Sequence, residues 1–202
     1  MLEEILCEGL AAMIPVYDGG NVTRVVQSDG TVVVLPRTCK TVMKNIARFY
    51  GVDLAATRRK YRRVVNKRQQ IPIPFSSALL LIPLKMRKRP LGENDGTLGY
   101  VNFKEVEGVD EGSGACKVSL RCGATVDTLV RSSTVQEYIK NAKLVEKMFL
   151  DLHMPGTLGE AKKPDYGGDA LGTNWGMVVE SEEAFRAYLV GLLLRVLEGK
   201  AN

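Results

Sequence analysis

Twice along the chain, the spacing of apolar residues changes from that of a strand to that of a helix. Residues 16–26 and 31–35 are rich in β-branched side chains and flank the tight-turn sequence Ser28-Asp29-Gly30, which predicts a β-hairpin. From Thr38, a capping hydroxyl, the apolar residues follow one face of a helix as far as Tyr50. A hairpin followed by an amphipathic helix is therefore predicted, after a short N-terminal helix over 2–13.

The second change of spacing lies further along the chain. Strands are predicted over 78–84, 100–106, 116–121 and 125–130, with a Gly-rich turn at 107–114, and Ser133 caps a helix over 134–152. Both regions run through a strand, an Arg, a capping hydroxyl and a helix that contains Lys-Asn. The predicted fold class is α+β, with antiparallel sheet units each packed by a helix, and the repeated order indicates a duplicated β-β-α unit.

These patterns predict how the domains are organised. Region 1–152 is predicted to contain the two β-β-α subunits, over 13–90 and 98–152. Residues 153–176 are rich in Gly and Pro, and a final helix over 182–197 is apolar nearly all round. That C-terminal helix is expected either to pack on the core or to form a dimer interface.

Charge is concentrated in one segment. Between Leu54 and Gly92 there are eleven basic residues and no Asp or Glu, so the segment carries +11 of a net charge of +5 and the remainder carries −6. Such an imbalance costs self-repulsion unless a polyanion neutralises it, which makes nucleic acid the first partner to consider. The predicted nucleic-acid-binding residues are Arg58, Arg59, Lys60, Arg62, Arg63, Lys67, Arg68, Lys85, Arg87, Lys88 and Arg89.

Two structures are compatible with the densest basic stretch. With Asp53 as a cap, residues 54–67 form a helix, and 41–67 becomes a helix-turn-helix. Alternatively, the Val64-Val65 pair places a strand at 61–66. The strand is favoured, because the helix would lack a clean apolar stripe.

Other function classes have less support in the sequence. The single histidine, His153, excludes a multi-histidine metal site, and Cys7, Cys39, Cys116 and Cys122 lack the paired spacing of a zinc site. No phosphate-binding loop, nucleophile elbow or dinucleotide-binding motif occurs. The chain is therefore expected not to be an enzyme, to need no cofactor, to cross no membrane and to be cytoplasmic.

The order of several short motifs resembles the ComK family, the competence transcription factors of Gram-positive bacteria. The resemblance covers about residues 37–150, and the elements that carry it are Arg48-Phe49-Tyr50-Gly51, Arg58 to Arg63, Ile71 to Phe75, Leu81-Ile82-Pro83, Arg89-Pro90, Phe103-Lys104-Glu105 and Ser132 to Gln136. It implies a DNA-binding transcriptional activator that acts as a homo-oligomer on AT-rich promoter DNA. The basic segment after Gly51 and residues 153–202 depart from the family pattern.

Charge and resemblance lead to the same expectation, a regulator that binds double-stranded DNA through the basic segment. An RNA-binding protein and a protein-binding scaffold with a basic face are the alternatives. RNA binding would use Tyr61, Phe75, Tyr100 and Phe103, the aromatic residues near the basic segment, for stacking.

Overall fold

The computed structural model describes residues 2–92, 95–112 and 115–153, which form an α+β fold with two antiparallel sheets. Its elements are α1 Leu2–Glu8, β1 Leu10–Tyr17, β2 Asn21–Gln27, β3 Val32–Leu35, α2 Cys39–Phe49, α3 Leu54–Val65, β4 Ile73–Pro74, β5 Leu80–Lys85, β6 Leu98–Asn102, β7 Val106–Glu111, β8 Cys116–Leu120, β9 Thr125–Thr128 and α4 Ser132–His153. None of these described helices has the length and apolar character needed to span a bilayer.

The larger sheet has six strands in the order β3-β2-β1-β6-β5-β4. Alternate residues along each strand point to opposite faces. On one face, Met13, Val25 and Leu81 form a core with α1 and α2, and we call this the α2 face. On the other, Ala12 and Ile82 join a core that also contains residues of α3, α4 and the second sheet, and we call this the α4 face.

The smaller sheet, β7-β8-β9, begins where the chain leaves the larger one. Asn102, at the end of β6, is 2% exposed and donates to the carbonyl oxygens of Leu10 and Ala78, each at 3.0 Å. Its side-chain oxygen accepts from the backbone N–H groups of Leu80 (3.2 Å) and Lys104 (3.3 Å). The Lys104 contact caps a 3-10 turn at Phe103–Glu105, so a single buried amide ties three strands to the turn between the sheets.

The predicted hairpin-helix order occurs in both regions. β2, β3 and α2 follow one another in the first, and β8, β9 and α4 in the second. β6, however, lies between β1 and β5 in the larger sheet, so the division between the sheets falls after Asn102. The duplication itself stays a prediction, and the C-terminal helix predicted over 182–197 lies outside the described residues.

Several predicted boundaries were wrong. Helix α1 ends at Glu8, because Gly9 has a φ of +103° and the chain then enters β1. The predicted strand over 100–106 is interrupted by the 3-10 turn, and β7 occupies much of the predicted turn at 107–114. Its half-exposed residues lack the apolar signal of a buried strand.

The prediction of a strand at 61–66 was also wrong, since this segment belongs to α3. The helix-turn-helix alternative has the correct secondary structure but not the packing. The buried residues of α3, Tyr61 and Val65, belong to the core of the α4 face, whereas those of α2 belong to the core of the α2 face. A helix-turn-helix needs its two helices in one core. Because the buried residues of α2 and α3 lie in different cores, this segment does not pack as a helix-turn-helix.

Candidate nucleic-acid interface

Helix α3 carries five of the eleven predicted basic residues and starts at a strong cap. The carboxylate of Asp53 accepts hydrogen bonds from the backbone N–H groups of Ala55 (2.7 Å) and Ala56 (3.1 Å). These two bonds, that from Ala56 first, lower the pKa of Asp53 below its ordinary 3.8. The helix ends at Asn66, which adopts a left-handed conformation with φ 50°.

Two side chains hold α3 on the protein. Tyr61 is 2% exposed and Val65 lies one turn further along the same face, where both contact the core that contains Tyr138 of α4. Thr57 and Val64 flank this stripe and are half-buried. The other faces of the helix carry its five basic residues, which are all exposed: Arg58, Arg59, Lys60, Arg62 and Arg63.

A cleft runs between α3 and the neighbouring edge of the larger sheet. Its volume is about 470 Å³, and Arg58, Arg59, Arg62 and Arg68 line its basic side. The apolar residues along it come from the sheet and the approach to it: Ile71, Ile73, Pro83, Leu98 and Tyr100. We call this the arginine cleft.

Lys85 extends the charge of the arginine cleft. It lies two residues after Pro83 on β5, and therefore on the same face of the sheet, and it pairs with Leu98 of β6. It is exposed at the end of its strand. The cleft thus brings together four of the predicted basic residues, and Lys85 is exposed on the strand that supplies Pro83 to the cleft.

Tyr100 lies at the base of the cleft beside Arg58. Burial raises the pKa of its phenol above the ordinary 10.0, and the Arg58 guanidinium beside it acts in the opposite direction. Tyr100 is therefore neutral at physiological pH, and the positive charge of Arg58 is not cancelled by its phenol.

Among acids, Asp53 acts on Arg59 electrostatically, but no acid of the described residues forms an ion pair with a cleft arginine. Among the described residues, the ion pair that involves the basic segment is Lys67 with Glu137 of α4, at 2.5 Å. The four cleft arginines form no ion pair with a carboxylate in this part of the chain. Their charge is therefore available to an external anion.

Not every predicted residue belongs to this surface. Lys67 is occupied by Glu137, and Lys60 lies over the ring of Tyr61, 5.2 Å from its centroid. Arg87 is only 8% exposed and its donors are used within the protein. Lys88 and Arg89 are exposed on the connection that follows β5.

Sequence reasoning missed the apolar floor of the cleft. Strand alternation places Pro83 and Lys85 on one face, which is a usable signal, but nothing in the sequence places that face beside α3. Tyr17 and Asn21, which contact Arg87, were also missed because they lie far from it along the chain, and Asp95 was missed because it lies in a loop without a recognisable pattern.

A larger cavity, of about 880 Å³, lies between α1, the end of β3 and α2. Arg37 and Arg48 line it together with Glu3, so its charge is partly balanced. No group of three His, Cys, Asp or Glu residues within the described ranges could hold a metal ion. The arginine cleft is therefore the better candidate for recognition of a charged partner.

No protein-family model matches the chain, and neither a curated protein nor a solved structure is similar to it.

Proposed function

We propose that this protein is a DNA-binding regulator that grips the phosphate backbone of double-stranded DNA with the arginine cleft. The observation that carries the proposal is the arrangement of Arg58, Arg59, Arg62 and Arg68 around one cleft, none of them in an ion pair with a carboxylate of the described residues. Guanidinium groups that meet phosphates release condensed counterions, which is the main source of affinity for DNA.

The regulatory part of the proposal rests on the resemblance to the ComK family. It extends to transcriptional activation, to AT-rich promoter DNA and to a homo-oligomeric, cytoplasmic protein that is not an enzyme. A selection of bound duplexes from a random pool, repeated at two salt concentrations, tests this part. An AT-rich consensus supports it, and retention without any consensus restricts the protein to non-specific binding.

The structure favours duplex DNA over single-stranded RNA as the ligand. Recognition of single strands depends on exposed aromatic rings on which bases stack. Three of the four aromatic residues near the basic segment are buried: Tyr61, Phe75 and Tyr100. Competition between duplex DNA and single-stranded RNA for the protein should therefore be won by the duplex.

Salt dependence tests the role of the cleft directly. With about six phosphate contacts, the slope of log affinity against log salt should be about −5, and the triple variant R58A/R59A/R62A should reduce its magnitude by about 2 to 3. Affinity should fall on the order of 100-fold at moderate salt, because each lost contact no longer releases a counterion.

The matched control is K140A/K143A/K147A, which removes three exposed charges from α4. It should leave the slope nearly unchanged. Equal slopes for the two triple variants, both shown to be folded by circular dichroism, would exclude the cleft as the DNA-binding surface.

A further inference from the structure

Arg87 is a buried guanidinium that forms no direct ion pair with a carboxylate among the described residues, although the charge of Asp95 acts on it from within the same cluster. Its Nη1 and Nη2 atoms donate to the side-chain oxygen of Asn21 at 3.3 and 3.2 Å, and Nη1 donates to the carbonyl oxygen of Gly96 at 3.3 Å. The guanidinium carbon lies 3.9 Å from the centre of the Tyr17 ring, which is cation–π geometry. These contacts compensate for much of the cost of burying the charge.

Asp95 completes the same cluster. Its carboxylate accepts from the Tyr17 hydroxyl (2.7 Å), the side-chain amide of Asn21 (2.5 Å) and the backbone N–H of Gly92 (3.0 Å). These bonds, that from Tyr17 first, lower the pKa of Asp95 below 3.8, so it is ionised at physiological pH. We call the four residues Tyr17, Asn21, Arg87 and Asp95 the Tyr17 cluster.

The Tyr17 cluster fixes both ends of a short basic loop. On one side, the backbone N–H groups of Met86 and Arg87 donate to the carbonyl oxygen of Thr97, at 2.9 and 3.2 Å. On the other side, the N–H of Leu91 donates to the Tyr17 hydroxyl at 2.7 Å. The residues between these anchors, 88–90, are all exposed, and we call them the Lys88 loop.

The Lys88 loop starts beside the arginine cleft. Thr97, which holds the start of the loop, also lines the cleft together with Leu98. Lys85, at the end of β5, is exposed and lies three residues before Lys88 along the chain. A polyanion that lies in the cleft and continues past Lys85 therefore meets Lys88 and Arg89 next.

We propose that the Lys88 loop is a second DNA-contacting arm and that the Tyr17 cluster, including the acidic residue Asp95, positions it. This inference rests on the proposed function. Within it, Arg87 is a positioning residue and does not contact DNA. Asp95 then has an unusual role, because a negative charge supports the binding of a negatively charged ligand.

Net charge alone and the positioning role of Asp95 predict opposite changes in DNA affinity for the substitution Asp95→Asn. Asp95→Asn makes the protein more positive by one charge, which alone would strengthen DNA binding. If Asp95 positions the loop, the substitution replaces one of two acceptor oxygens by a donor and disturbs the bonds from Tyr17, Asn21 and Gly92. Affinity should then fall by about 3- to 10-fold, because Lys88 and Arg89 lose their fixed geometry.

The matched control for Asp95→Asn is Asp18→Asn. Asp18 is an exposed neighbour of Tyr17, and its side chain accepts no hydrogen bond from the described residues. The control makes the same change in net charge close to the same place. It should leave affinity unchanged or raise it slightly.

A double-mutant cycle completes the test. The variant K88A/R89A should reduce the magnitude of the salt slope by about 2. Asp95→Asn should cause no further loss when it is combined with K88A/R89A, since the arm that it positions is then absent. A loss of the same size in both backgrounds would overturn the positioning role, and so would a gain in affinity for Asp95→Asn alone.

Failure of this inference differs from failure of the proposed function. If wild-type protein does not bind duplex DNA, or if R58A/R59A/R62A binds normally, the proposed function fails and the inference fails with it. If R58A/R59A/R62A loses binding while Asp95→Asn behaves like Asp18→Asn, only the inference fails. Amide exchange at Leu91, which should accelerate in Asp95→Asn, reports separately whether the cluster holds the loop.

Discussion

Helices α3 and α4 lie in the same core but distribute their charges differently. Helix α3 has five basic residues and no acid, whereas α4 has three lysines with Glu137, Glu146 and Asp151. Two of the α4 acids form ion pairs with bases elsewhere in the chain, Glu137 with Lys67 and Glu146 with Lys104. The surface of α4 is therefore close to neutral, and that of α3 is not.

This difference indicates that solubility does not require the excess positive charge of α3. Helix α4 presents a charged face to water with bases and acids balanced, which is enough for solubility. Helix α3, which lies in the same core, could be kept soluble by a balanced set of charges in the same way. The uncompensated bases of α3 cost repulsion among themselves, so the comparison favours an external anion as the reason for them.

The two helices also differ in how firmly they are anchored. Tyr61 and Val65 are the buried residues of α3, whereas α4 buries Val135, Tyr138, Ala142 and Val145. A short basic helix with two anchors depends strongly on each of them.

The largest expected effect on stability comes from the main anchor of α3. Tyr61→Ala should lower the free energy of unfolding by about 3 kcal/mol or more, because it leaves a cavity in a closely packed core. Tyr61→Phe should cost less than about 1 kcal/mol, since the Tyr61 hydroxyl has no hydrogen-bond partner in the described part of the chain. Urea denaturation measures both. Similar losses for Ala and Phe would mean that the hydroxyl, and not packing, holds the helix.

A smaller effect is expected at the start of α3. Asp53→Ala removes the acceptor of two backbone N–H groups and should lower Tm by about 2–4 °C, whereas Asp53→Asn, which can still cap, should cost much less. Because the folded pKa of Asp53 is lowered, its contribution is present above the ordinary pKa of 3.8 and is lost as pH falls through the folded value. Thermal unfolding at several pH values should show the Asp53→Ala deficit shrinking in strongly acidic solution. A deficit that does not change with pH would contradict the role of the charged cap.

The smallest effect is expected for the ion pair that joins α4 to Lys67, which follows the end of α3. The side chains of Lys67 and Glu137 are 44% and 47% exposed, so water and salt screen their attraction. Glu137→Gln should change Tm by less than about 1 °C. The matched variant Glu146→Gln affects a less exposed pair and should cost more. A large effect of Glu137→Gln would mean that α3 is held by charge as well as by Tyr61 and Val65.

The sequence predicted those parts of the fold that depend on local signals. Thr38 caps α2 as expected, accepting from the backbone N–H of Thr41 at 3.2 Å, and the stripe from Val42 to Ala47 is buried. The α+β class followed from the two changes in apolar spacing. The pattern around α3 was ambiguous, because two buried residues are too few to establish a helical period against the β-branched pair Val64-Val65.

The parts that the sequence did not predict depend on contacts between distant residues. The helix-turn-helix alternative was wrong in its packing, since the buried residues of α3, Tyr61 and Val65, lie in the core with α4 and only Leu54 at its start contacts the core with α2. The basic run was visible, but the role of Arg87 was not, because its partners are 66 residues away at Asn21 and 9 residues away at Gly96. Periodicity and charge are properties of single segments, whereas these contacts form only when the segments pack together in the fold.

The buried amide of Asn102 has a consequence for which sequence changes this protein can accept. Aspartate has the same size, but it would set a negative charge against the carbonyl oxygens of Leu10 and Ala78, and leucine would leave those oxygens and two N–H groups unsatisfied. Arginine and lysine on the rim of the cleft can replace one another far more freely, since a phosphate tolerates either. Substitution during evolution should therefore be slow at this corner of the sheet and faster on the surface proposed to bind DNA.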